Sequence, residues 1–233
     1  MRWVPRSIEV AGTSNTAALI EEPINLALRD HQKTAEDWRF RALVTELHTW
    51  SERFRLKFKL NTPIPAIRIE RLGGRRLGHF RCGRNGWGLN YEIAIDRDHS
   101  TSDPFWQAVG TLLHELLHLW QEVHGANPSR CSFNYHNKEF RDKAAALGLI
   151  VDHRGYTCYA TQNSPFLDLL KEYDVNVPPL PPLEEQRTRL ERLGSSKLKL
   201  WECGCPVRVR VAVPNFRARC LVCGCLFAKK DPS

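Results

Sequence analysis

The stretch from Val109 to Trp120 constrains the fold more than any other part of this 233-residue chain. Val109, Leu112, Leu113, Leu116, Leu117 and Trp120 recur at helical spacing and cover much of a helix circumference, which predicts a largely buried α-helix. That helix carries His114, Glu115 and His118 inward, where polar groups need partners. Residues four apart lie one above the other on a helix, so His114 and His118 can offer two ring nitrogens to one metal ion. Glu115, one step round, can reach a water at that ion and act as general base. The spacing H-E-x-x-H is the pattern of zinc hydrolases. Asp103-Pro104 supplies an N-cap and a first helical residue, and Gly125 with Asn127-Pro128 supplies the stop.

Around this helix the pattern predicts an α+β domain. Trp38, Leu43, Leu47, Trp50 and Phe54 predict one helix over residues 34–60, stopped by Pro63 and Pro65. Residues 66–72, 77–82 and 89–95 read as three strands of a small, meandering antiparallel sheet, with Gly73-Gly74 and the Gly83–Gly88 loop as turns. Further helices are expected over 137–147 and 164–173. Residues 177–183 read as a stiff proline-rich spacer, followed by a charged helix over 184–193. The expected domains are therefore 34–175, a linker and short helix over 176–196, and a cysteine module over 197–229, with 1–33 assigned no role.

A catalytic zinc takes three protein ligands and leaves one position open. His124 has the metzincin spacing from His118, but Gln121 stands where that pattern has its turning Gly, and the chain's one Met is Met1. If the helix continues, His124 points away from the ion. Glu139 would make a His-His-Glu site. His136, after a loop containing Gly125, Asn127 and Pro128, makes a His-His-His site and is the preferred third ligand. His99, Tyr135 and Tyr156 are polar candidates to steady an oxyanion, and the strand over 89–95 is a candidate to pair with extended substrate.

The run Thr111-Leu-Leu-His114-Glu115-Leu-Leu-His118, then Tyr135-His136-Asn-Lys-Glu139-Phe140 and Leu147-Gly-Leu149, resembles the SprT family, which includes the Spartan proteases that degrade proteins crosslinked to DNA. The resemblance implies a zincin-like metalloprotease domain in which His114, His118 and His136 bind zinc and Glu115 is the base. It implies a protein substrate at or near DNA.

Cys203 and Cys205, then Cys220, Cys223 and Cys225, crowd the C-terminus, whereas Cys82, Cys131 and Cys158 are scattered and read as buried thiols. Clustered cysteines without an export signal point to a zinc ribbon, a second, structural Zn2+. Spacing leaves Cys220 and Cys225 as alternatives for one ligand. The family's CxC…CxxC ribbon favours Cys203, Cys205, Cys220 and Cys223, although Pro206 departs from the usual Gly. Between the knuckles Val207–Val213 alternates, which puts Val on one face and Arg208 and Arg210 on the other. With Arg217 and Arg219 these make a candidate nucleic-acid face that contacts phosphate without reading sequence.

The net charge is +8, and residues 184–233 hold eleven of the 34 basic residues against five of the 26 acidic ones. Arg71, Arg75, Arg76, Arg81 and Arg84 form a second basic run. Both favour a polyanionic partner such as DNA. The N-terminus lacks an apolar leader and no apolar run reaches membrane-spanning length, so no membrane partner and a cytoplasmic location are expected. The rival to a zinc peptidase is a non-catalytic, zinc-dependent nucleic-acid-binding or transcription-associated protein.

Overall fold

The computed structural model describes residues 22–73, 76–126, 136–194, 198–213 and 215–230. The chain divides into two compact units, Met1–Leu180 and Pro181–Ser233. The first contains α1 (Pro23–Thr34), α2 (Arg41–Lys57), β1 (Ala66–Glu70), β2 (Gly78–Arg81), β3 (Glu92–Asp96), α3 (Arg97–Ser102), α4 (Phe105–His124), α5 (Lys138–Ala146), β4 (Leu149–Val151), β5 (Thr157–Tyr159) and α6 (Pro165–Glu172). The second contains α7 (Leu183–Gly194), β6 (Lys199–Glu202), β7 (Arg208–Val211) and β8 (Ala228–Lys229). Mixed α and β structure with small sheets is the class that the sequence pattern predicts.

The motif helix is α4, and it is the spine of the first unit. Leu112, Leu113, Leu116 and Leu117 are fully buried. They belong to one core with Leu47, Trp50 and Phe54 of α2 and with Ile67, Ile93 and Ile95 of the sheet. Each such side chain contributes about 1.5–3 kcal/mol by leaving water. Phe140 of α5 and Phe166 of α6 close the same core.

Three expectations need correction. The helix expected over 34–60 is shorter: a separate helix, α1, ends at Thr34, α2 runs only from Arg41 to Lys57, and Trp38, which keeps the period of α2, lies in the intervening turn. The sheet is not an antiparallel meander. Its order is β1-β3-β2, with β1 parallel to β3 and β2 antiparallel to it. Asp103 does not cap α4, because a short extra helix, α3, ends on it and the Asp103 carboxylate accepts from His99.

Residues with no assigned role also enter the fold. Within α1, Asn25 donates to the carbonyls of Ile64 and Asn90 at 3.1 and 2.6 Å, and Gln32 donates to the carbonyl of Ile67 at 2.9 Å. Helix α1 is thus laced to the outer side of β1. At the other end, Val177 and Leu180 pack against the first unit's core, so the proline-rich stretch is not a free spacer throughout.

In the second unit β6 pairs antiparallel with both β7 and β8. Trp201 packs edge-on against Phe216, which in turn meets Phe227 at a centroid distance of 6.0 Å. Such a small aromatic cluster buries little surface, which leaves the cysteine group to supply much of the cohesion.

Candidate metal centres

Helix α4 places His114 and His118 one turn apart on the same face, with ring centroids 5.1 Å apart. The chain returns to that face at His136. His136 Nε2 lies 3.0 Å from His114 Nε2 and 3.1 Å from His118 Nε2. All three rings offer a nitrogen within 4.8 Å of the others, so the trio could hold a metal ion. Nitrogen ligands of a tetrahedral zinc-sized ion stand about 3.3 Å apart, close to these distances.

The surroundings fix the rings. Phe140 lies flat against His118 at 4.3 Å, and Phe80 of β2 is parallel to His118 at 6.5 Å. The hydroxyl of Thr157 lies 3.1 Å from His114 Nδ1 and donates onward to the carbonyl of Gly155 at 3.4 Å. That hydroxyl therefore accepts from His114 Nδ1–H and leaves Nε2 bare for a cation, the outer-shell arrangement that orients histidine ligands. Arg141 donates to the His136 carbonyl. Gly155, at φ +89, sits directly against the His136 ring, where a side chain would collide.

Burial keeps these groups in the states a metal site needs. His114 is held down to about 3 by burial and by neighbouring His136, and burial holds His118 well below its ordinary value. Neutral imidazole is the form that binds a metal. The three Nε2 atoms converge on one point, where a cation would satisfy all three. Burial pushes the Glu115 carboxyl up to about 8, partly countered by the Phe80 backbone N–H that donates to it.

The other candidates lie elsewhere. Glu139 is not in the trio; its two oxygens accept from the Ala126 N–H at 2.9 Å and from Gln121 Nε2 at 3.1 Å. It ties the end of α4 to the start of α5, which brings His136 back. His124 bonds the carbonyl of Asn61 at 2.6 Å. Both ring nitrogens of His99 are engaged, by Asp103 at 2.8 Å and Thr111 at 3.0 Å. Tyr156 is half-buried in the β4–β5 turn, and Tyr135 lies outside the described residues. The strand over 89–95, expected to pair with substrate, corresponds to β3. That strand is central and paired on both sides, and the edge strands are β1 and β2.

Sequence reasoning missed the β4–β5 hairpin. It supplies Thr157 and Gly155, each against one histidine. Gly148 at φ +94 and the Asp152 carboxylate, which accepts from the Arg154 and Tyr156 N–H groups, are the turn signals that could have revealed it.

In the second unit Cys203, Cys205, Cys220 and Cys223 offer sulfurs within 4.8 Å of one another and could hold a second metal ion. Cys203 and Cys205 stand 3.2 Å apart, and Cys205 and Cys220 3.7 Å. Cys225 is exposed and outside this group. The Cys225 backbone N–H draws Cys223 down to about 6, and those of Cys223 and Val222 draw Cys220 down, while Cys205 in the same group is shifted up. Gly224, at φ +73, makes the turn that aims these N–H groups.

Arg208 and Arg210 are exposed on one face of β7 while Val209 and Val211 turn inward, and Arg217 and Arg219 are exposed as well. Arg208 and Lys230 share Glu202, at 2.9 and 3.2 Å. The run at 71–84 is less basic than its sequence: Arg71 pairs with Asp98, Arg81 with Glu92 and Arg84 with Glu22, while Arg75 lies outside the described residues. Cys158 is a buried thiol, as expected. Cys82 is disulfide-bonded rather than a thiol, and Cys131 lies outside the described residues.

No family model, no curated protein and no solved structure matches this chain. Among the described residues no helix is long and apolar enough to cross a membrane.

Proposed function

We propose that the first unit is a zinc metallopeptidase of SprT-like type with a zincin-like fold, acting on proteins at or crosslinked to DNA. The observation that carries this reading is the convergence of His114, His118 and His136 beside the buried carboxyl of Glu115. His114, His118 and His136 would hold the zinc, which when bound would supply a Lewis acid for the peptide carbonyl and lower the pKa of water. Glu115 takes the proton of the attacking water and passes it to the leaving amine. Strand β2 is an edge of its sheet beside α4, the position from which an extended peptide could be paired. The second unit is read as a zinc ribbon whose Arg208, Arg210, Arg217 and Arg219 contact phosphates without reading sequence.

The test compares wild type with Glu115→Gln on a DNA-bound protein substrate, with and without DNA, alongside zinc analysis. The expected result is two zinc ions per chain in both proteins and cleavage by wild type alone. Full cleavage by Glu115→Gln overturns the peptidase mechanism. Cleavage indifferent to DNA overturns the DNA setting and leaves the peptidase standing.

A further inference from the structure

Behind the motif helix lies a second constellation that the metal chemistry does not use. His99 sits on α3, 4% exposed, between the end of β3 and the face of α4. Its Nδ1 is 2.8 Å from Asp103 Oδ2, and its Nε2 is 3.0 Å from Thr111 Oγ1. A carboxylate only accepts, so Nδ1 carries a hydrogen and donates to Asp103. In the neutral ring Nε2 then accepts from the Thr111 hydroxyl. The His99 backbone N–H donates to Asp96 Oδ1 at 2.9 Å, and Asp96 Oδ2 accepts from the Leu72 N–H at 2.8 Å. The ring is thus anchored to the sheet and grips α4 one turn ahead of Glu115.

Gly78 of β2 shows what that grip controls. A Cβ placed on Gly78 would lie 2.6 Å from Thr111 Cγ2 and 2.7 Å from Glu115 Oε1. The Thr111 methyl and the Glu115 carboxylate therefore border the same space beside the Gly78 Cα, space that only the missing side chain leaves open. Thr in a helix divides between two χ1 rotamers, because its hydroxyl can also bond a carbonyl of the preceding turn. A hydroxyl held by His99 selects the rotamer that keeps the methyl beside Glu115.

We infer that Asp103, His99 and Thr111 form a positioning relay that locks the Thr111 rotamer and, through its methyl, the placement of Glu115. This inference rests on the peptidase reading for its effect on turnover, though not for the rotamer lock. The relay touches no reacting atom, and neither His99 nor Thr111 is a metal ligand.

The experiment uses the full chain loaded with zinc. His99→Leu frees the hydroxyl and is expected to lower kcat about 10- to 100-fold, the usual cost of losing an outer-shell partner, with KM within about two-fold and zinc content unchanged. Valine holds one χ1 rotamer in a helix and has a methyl at both branch positions. Adding Thr111→Val to His99→Leu is therefore expected to restore kcat. A role of His99 in general stability would depress both variants alike, and that outcome overturns the relay, as does a wild-type kcat for His99→Leu. NMR gives a readout without turnover: one Thr111 χ1 rotamer and a hydrogen on His99 Nδ1 in wild type, and averaged χ1 in His99→Leu. Averaged χ1 in wild type overturns the relay. Absence of hydrolysis with a locked χ1 overturns the peptidase reading instead.

Discussion

Replacing Gly155 by Ala isolates the contribution of one backbone position to the histidine trio. The new Cβ would be 3.1 Å from both ring nitrogens of His136 and closer still to its Cε1. Restoring an ordinary carbon–carbon separation moves the ring by about 1 Å. The ring's Nε2 now stands 3.0 and 3.1 Å from the other two histidine nitrogens, and the Arg141 bond to the His136 carbonyl keeps the backbone from following. The displacement falls on ligand geometry, and the expected loss of metal affinity is about 10- to 100-fold. The substitution also puts a side chain at φ +89, which costs about 1–2 kcal/mol of stability by itself. Gly83→Ala separates the two effects. Gly83 has φ +80, but nothing lies within 4 Å of its added Cβ, so it carries the strain without the collision. Competition with a chromophoric chelator measures the affinity, and urea unfolding of the metal-free proteins measures the strain. Both variants should lose similar stability, and Gly155→Ala alone should lose metal. Equal metal affinity in the two variants would refute the reasoning.

Two further outcomes follow from groups outside the trio. Burial, with Lys33 and Arg29 nearby, holds His48 down to about 3, and its Nε2 contacts Gln32 Oε1 at 3.2 Å. A folded-state value below the unfolded one makes stability complete above about pH 6.5 and lost as pH falls towards 3. At pH 5 this loss is about 2 kcal/mol, and urea titrations should find it in wild type and not in His48→Gln. In the second unit Cys225→Ser should leave the second metal ion bound, whereas Cys220→Ser should release it. Retention by Cys220→Ser with loss from Cys225→Ser would reverse the assignment.

The parts of the fold legible in the sequence are those with local causes. Helix α4 announces itself through apolar periodicity, α5 through Asn137, whose side chain accepts from the Phe140 N–H at 2.9 Å, and the cysteine knuckles through spacing. The parallel pairing of β1 with β3 has no local cause, because β2 lies between them in sequence yet on the far side of β3 in the sheet. Helix α3 escaped because Asp103-Pro104 resembles the start of the next helix. Strands β4 and β5 are three residues each, too short for alternation to register. Of the trio, His114 and His118 follow from helical period. His136 needed a loop to return, and its outer supports, Gly155 and Thr157, come from the hairpin that left no periodic trace.

The lacing of α1 along β1 settles where the central sheet can grow. Asn25 and Gln32 occupy carbonyls beside or on β1, so that border is closed to any incoming strand. Among the described residues β2 alone remains as an open border, and its Phe80 N–H already points at Glu115. On the peptidase reading, an extended chain that pairs with this sheet would therefore do so along β2, and the helix that closes the opposite border would decide the side of approach.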